Sequence, residues 1–378
     1  HHGLFDAGIP IQSYPDMVTQ AIHVADCNLL EQYFLEDVTL NPASPWRQWS
    51  RRSLIEGLAT SDTEINPVFR TPGSSECIRG WFSAAPLVLN PQFTDPRFFQ
   101  VAAAYGWNLA QFATVKWTHW NDLANIYGTD AEGYAPIPFD NVGVQYGLAA
   151  LKSGDIDADE FLRINACAGS WKEQRDFVQW NAAADPFDSR NMRRSATCRI
   201  DPNAPAPRRA GDLKAMQAAY ASGHVFTGKT LDIPMIDLRP YLEAKLDMHN
   251  SRQSFSVRAR LQAQGGQNFK RQVIWFTDSP NDLPARVGGA RAVFDRDLAD
   301  VPETDAQRAA VGFQDQCYAA GARIAAGDGA WAGVLDDAPK GACTQQYPIL
   351  SSTRMVAGDS FRGDMFKCAL KPMPAALA

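Results

Sequence analysis

Two short apolar runs, LDIPMIDL at Leu231–Leu238 and QVIWF at Gln272–Phe276, most constrain what this chain can fold into. Each is too short for an ordinary helix and too continuously apolar for a strand with one wet face. Each therefore reads as a strand buried on both sides of a sheet. Between them, HNSRQSFSVRARLQAQGG sets Val257 and Leu261 on one helical face and ends on a glycine pair. Strand, helix, strand is the unit that joins parallel neighbours through a right-handed crossover. The fold class is α/β.

Upstream, Ile9-Pro10-Ile11 is a further β-leaning run, closed by the turn-prone Ser13-Tyr14-Pro15-Asp16, and predicts a short strand at about residues 7–12. Helical signals then predominate up to Gly223. Ser44-Pro45 is an N-cap with a first-turn proline, with Gly57 near the end of its helix, and Asp157 and Glu160 have the spacing of a capping box. The aromatics of PRFFQVAAAYGWNLAQFATVKWTHWNDLANIY, residues 96–127, recur at helical spacing and read first as core. A last helix is expected over residues 305–320, followed by Gly-rich loops. With no repeat and no linker-like tract, the chain reads as one sheet interrupted by a large helical insertion.

The 378 residues are 45% hydrophobic, enough for a substantial core, and the net charge of -6 argues against a phosphate-neutralising surface. The one basic concentration, between Arg190 and Arg209, is rich in proline and asparagine and reads as a loop. A nucleic-acid partner is not expected. Neither is a membrane partner, since no run approaches the length of a span, and the first residues lack the pattern of a signal peptide. Cys27, Cys77, Cys167, Cys198, Cys317, Cys343 and Cys368 include no CxxC pair and no zinc spacing, so no metal and no cofactor is expected. Scattered cysteines fit an exported, secreted or periplasmic protein with disulfides, the alternative being buried free thiols. The odd count leaves at least one thiol free or paired outside this chain.

Several motifs have simpler readings than their first appearance. Asp155, Asp157 and Asp159 begin like a calcium loop, but an EF-hand needs Gly and Glu where Glu160 and Ala166 stand, so helix capping is the better reading. Gly358-Asp359-Ser360-Phe361 is similar to a lipase serine block, yet it comes eighteen residues before the end of the chain and reads as a loop serine. Ser74, Ser75 and Ser170 do not stand in G-x-S-x-G either. Among the six histidines, His1 and His2 are terminal, His23 and His119 sit in helical stretches, and His224 follows a helix. His249 differs, because LDMH follows the LDIPMIDL strand, and the ends of parallel strands are where α/β enzymes place their chemistry. A carboxylate two residues away can orient an imidazole and stabilise its protonated form. The alternative is a histidine and an aspartate that only cap the next helix.

FDAGIPIQSYPDMVTQ, DNVGVQYGL, IPMIDLRPYLEAKLDMH and RMVAGDSFRGDMFKCALKP together resemble a little-characterised family of secreted bacterial proteins of the α/β-hydrolase type, over residues 3 to about 372. The resemblance implies that a nucleophile elbow and its helix precede AGIPIQ, so that the chain is the C-terminal part of a larger protein. It further implies a partial hydrolase sheet with a large, mainly helical cap. The divisions are residues 1–27 as core strand and helix start, 28–230 as cap, 231–300 as core and 301–378 as an extension stapled by Cys317, Cys343 and Cys368. IPMIDL and QVIWF would be the last two sheet strands.

In that fold the acid follows the strand matching IPMIDL, where Asp237 and Asp247 stand, and the histidine follows the next strand. No histidine follows Phe276. His249 is then the base, supported by Asp247, Asp237 or Asp16; otherwise the histidine lies beyond Ala378, or no triad operates. Tyr14, Trp117, Trp120, Phe139 and Tyr146 are the candidate substrate-binding aromatics. The expected function is that of an esterase-type serine hydrolase acting on a small or oligomeric ester, with the N-terminal part of the same protein as partner. The alternative is a non-catalytic exported binding or scaffold protein on a degenerate hydrolase fold.

Overall fold

In the computed structural model, the two apolar runs are neighbouring parallel strands, Met235–Pro240 and Gln272–Thr277, in register from Met235 opposite Gln272 to Pro240 opposite Thr277. The described residues are 4–82, 84–93, 96–108, 110, 119–201, 203–229, 231–296, 304–335 and 338–363. The helix Arg252–Ala263 makes the connection between the two strands. The sheet continues past this pair. Gln316–Ala319 lies parallel to the second strand, and Ala322–Ala326 returns antiparallel as the fourth. The helix expected over residues 305–320 is accordingly shorter, Asp305–Val311. It opens on a Thr304 capping box and stops where Gly312 takes φ 83°, a conformation glycine adopts without strain.

The run at residues 7–12 pairs with the first strand at only two points, Gly8 with Met235 and Ile11 with Leu238, both parallel. Pro10 has no N–H to donate, and Gln12 leaves the extended region at φ 52°, so no longer strand forms.

Strand alternation sends Val273 and Trp275 to one face of the sheet and Ile274 and Phe276 to the other. The first pair packs with Ile236, Leu238, Ala290 and Val293, the last two from the helix Leu283–Phe294. The second pair packs with Phe255 of Arg252–Ala263, Cys317 and Trp331. Burial on both faces is what the unbroken apolar runs require. Full burial of a side chain such as Phe276 contributes about 2 kcal/mol. The Cys317–Cys343 disulfide ties the third strand to the short helix Ala342–Gln346, which shares a core cluster with Trp331, closing a separation of 26 residues. Cys368 lies outside the described residues.

The chain divides into two compact units. The sheet unit comprises the residues up to Asp16, Phe226–Ser351 and Asp359–Gly363; the other comprises Met17–Val225 and Ser352–Gly358. The second unit is mainly helical, with two small antiparallel two-stranded sheets. Its helix Met17–Leu40 runs unbroken through Cys27 and is buried on nearly every side, as a central helix must be. Disulfides Cys27–Cys77 and Cys167–Cys198 brace this unit. Asp157 and Glu160 form the expected capping box and Gly57 ends the helix Trp49–Glu56, but Ser44, which accepts from the Trp46 N–H, caps a separate 3-10 turn, Pro45–Arg47, and the helix itself starts after Gln48 without a side-chain cap. A Cβ on Gly57 would meet the Ser352 backbone at 2.8 Å, so glycine is required there for space as well as for its φ of 69°.

Candidate active site

Beyond Pro240 the chain makes a short 3-10 turn, Glu243–Lys245, and Leu246 takes a left-handed conformation that redirects the backbone into Asp247-Met248-His249. Oδ1 of Asp247 accepts the His249 N–H at 2.8 Å, the two-residue side-chain turn that aspartate forms readily. The same oxygen lies 2.7 Å from His249 Nδ1. One local turn therefore fixes both the backbone and the ring of the histidine. Nε2 of His249 makes no hydrogen bond among the described residues, and the side chain is 36% exposed. The hydrogen bond from His249 holds the Asp247 carboxyl below the usual range. Burial opposes this, and the charges of His249 and Arg239 add to it.

Tyr14 approaches from the N-terminal segment. Its hydroxyl donates to the Met248 carbonyl at 2.8 Å, and its ring lies tilted against the imidazole, centroids 5.5 Å apart. Below them Arg239, fully buried, donates to the carbonyls of His249 and Ser13 and to Ser254 Oγ. Glu243 accepts from the Ser251 N–H at 2.8 Å and from its hydroxyl, which secures the start of the next helix; burial pushes the Glu243 carboxyl up.

The three candidate aspartates have different surroundings. Asp247 touches the imidazole. Asp237 lies within the sheet opposite Ile274, accepts from Gln272 Nε2 at 3.0 Å and is pushed up by burial. Asp16 accepts from the Phe226 N–H and forms a buried ion pair with Arg260 at 2.6 Å. Of the aromatics, Tyr14 meets His249, whereas Trp120, Phe139 and Tyr146 are buried in the other unit, where the Tyr146 hydroxyl donates to Asp26 at 2.8 Å. Trp117 lies outside the described residues. Arg239, Ser254 and Glu243 were not anticipated. The available signal was an arginine inside the otherwise apolar MIDLRP strand.

The serines weighed in the sequence have settings of their own. Ser75 Oγ donates to Glu31, Ser170 Oγ donates to the Pro207 carbonyl, Ser74 is buried, and Ser360 is exposed in a loop. Asp155 accepts from Ser153, and no group of three His, Cys, Asp or Glu side chains suited to a metal occurs among the described residues. No helix among them is long and apolar enough to cross a membrane. In the basic stretch, Arg193 and Arg209 pair with Glu173, Arg194 with Glu36 and Arg199 with Asp37, so much of its charge is met locally. Three disulfides are what an extracellular or otherwise oxidising environment sustains.

No curated protein and no solved structure matches the chain. A family model described as a tannase-like family of unknown function (DUF6351) matches residues 1–377. With nearly every residue inside that match, the chain belongs to this tannase-like family.

Proposed function

We propose that this protein is a secreted ester hydrolase of α/β-hydrolase type in which His249 is the general base and Asp247 orients it. The observation that carries the reading is the 2.7 Å contact from His249 Nδ1 to Asp247 Oδ1, with Nε2 left open at the carboxyl end of a parallel strand. Family membership supports it, since tannase-like enzymes are hydrolases. Nε2 takes the proton from a serine hydroxyl as that oxygen attacks the ester carbonyl, and returns it to the leaving alcohol as the acyl-enzyme forms. The imidazole then takes a proton from water, hydroxide attacks the acyl carbon, and the serine oxygen leaves with that proton. Asp247 keeps the ring in the tautomer with the proton on Nδ1 and stabilises the imidazolium.

The 378 residues contain no G-x-S-x-G, so the nucleophile of this proposal stands on a segment of the same protein outside them. The tannase-like assignment favours phenolic acyl esters as substrates, with the Tyr14 ring beside the imidazole as the nearest aromatic contact. The same missing motif favours a second reading, a non-catalytic exported binding or scaffold protein. The full-length gene product assayed on p-nitrophenyl and galloyl esters separates the two. Hydrolysis that His249→Ala abolishes supports the enzyme; an active His249→Ala variant overturns His249 as base, and no hydrolysis by the wild type favours the scaffold.

A further inference from the structure

Arg239 is 0% exposed, yet every acceptor of its guanidinium is uncharged: Ser254 Oγ on Nε at 3.0 Å, the His249 carbonyl on one terminal nitrogen at 2.9 Å, and the Ser13 carbonyl on the other. A buried cation without a direct ion pair is costly, and an apolar side chain of similar volume would fill the core at less cost. Its bonds reach three separate segments. Tyr14, next to Ser13, returns a bond to the Met248 carbonyl, so two consecutive carbonyls, Met248 and His249, are tied from opposite partners. With the His249 N–H held by Asp247, the backbone beneath the imidazole is pinned on both sides. The charged and titratable groups facing the guanidinium are Asp237 on its own strand, Tyr14 on the N-terminal segment, Glu243 on the 3-10 turn and Asp247 on the dyad turn.

We propose that Arg239 is the positioning residue of the His249–Asp247 pair: a buried fork that fixes the His249 backbone against the Tyr14 turn and sets a buried positive charge beneath the turn that carries Asp247. The catalytic meaning of this role rests on the hydrolase reading above; the positioning itself does not. The two parts separate by substitution. Lysine keeps the charge but cannot span two carbonyls in a planar fork, and glutamine removes the charge.

The test follows the His249 Nδ1 proton by nuclear magnetic resonance in full-length protein labelled at histidine, with its pH dependence, alongside kcat and KM. In Arg239→Gln the resonance should disappear on acidification about half a pH unit earlier than in wild type, because Asp247 protonates sooner. In Arg239→Lys the acid limit should stay where it is, while kcat falls about tenfold at nearly constant KM. Should Arg239→Gln fail to fold, Asp237→Asn/Arg239→Gln removes both buried charges together and should shift the limit in the same direction. An unmoved limit in the charge-removing variant, or wild-type kcat in Arg239→Lys, overturns the proposal. If His249→Ala leaves hydrolysis intact while the resonance responds as expected, the hydrolase reading fails and the positioning role stands.

Discussion

Nδ1 of His249 and Oδ1 of Asp247 meet at 2.7 Å from positions two residues apart in one turn. The pair therefore needs no long-range folding event to align it, only a backbone held in the right curve. Asp247→Asn keeps the shape but presents an amide that can donate where the carboxylate accepts, favouring the wrong tautomer. Ester hydrolysis by the full-length protein should fall by a hundredfold or more, on the order of a lost general-base contribution, while the melting temperature changes little. Equal losses for Asp237→Asn with the fold intact would move the acid to the sheet.

Asp16 serves stability through its buried contact with Arg260 at 2.6 Å, where the side chains are 6% and 4% exposed. Asp16→Asn takes a close buried anion away from Arg260, and loss of one member of a buried pair costs about 3 kcal/mol. Asp16→Asn should lower the denaturant midpoint and leave kcat per folded molecule unchanged. A variant as stable as wild type but inactive would give Asp16 a catalytic role instead.

What was legible in the sequence was local. Apolar continuity identified the two parallel strands, and side-chain spacing identified the caps at Ser44 and Asp157 as well as the aspartate two residues before His249. The third and fourth strands were missed because Gln316–Ala319 has only four residues and follows a helical pattern that Gly312 cuts short. Arg239 was missed for a different reason. Its function depends on carbonyls 10 and 226 positions away, and backbone acceptors leave no trace in residue type. Tyr146 is buried in a core cluster and its hydroxyl finds Asp26 120 residues away, a contact that spacing along the chain does not reveal.

The Cys317–Cys343 bridge anchors the helix Ala342–Gln346 to the third strand of the sheet, beside Trp331 in the same core cluster. For a separation of 26 residues, the entropy removed from the unfolded chain corresponds to about 3.5 kcal/mol. Cys317→Ala/Cys343→Ala should lose that amount in chemical denaturation, with a fall in the fluorescence signature of the buried tryptophan. Peptide mapping without reductant should recover this pair together with Cys27–Cys77 and Cys167–Cys198; a different pairing would refute the arrangement.

Glu56 gives the helical unit a pH dependence of definite sign. It is fully buried, and burial first, then the negative charge of Glu31, push its carboxyl well above the ordinary range. The two oxygens of Glu31 engage Arg52 and Ser75 at 2.5 Å each. A carboxyl whose folded value is raised binds its proton more tightly in the folded state. Its contribution is therefore fully present below the unfolded value and is lost as pH rises through the folded one. Wild-type stability should decline across that window, and Glu56→Gln, which carries the neutral shape permanently, should flatten the decline and match or exceed wild type at pH 7. Glu31→Gln should instead lower stability across the range, because it removes the carboxylate that Arg52 engages, at a cost of about 3 kcal/mol. Thermal melts of the three proteins between about pH 5 and 8 decide the matter, and a Glu56→Gln curve parallel to wild type would show that Glu56 is already ionised in the fold.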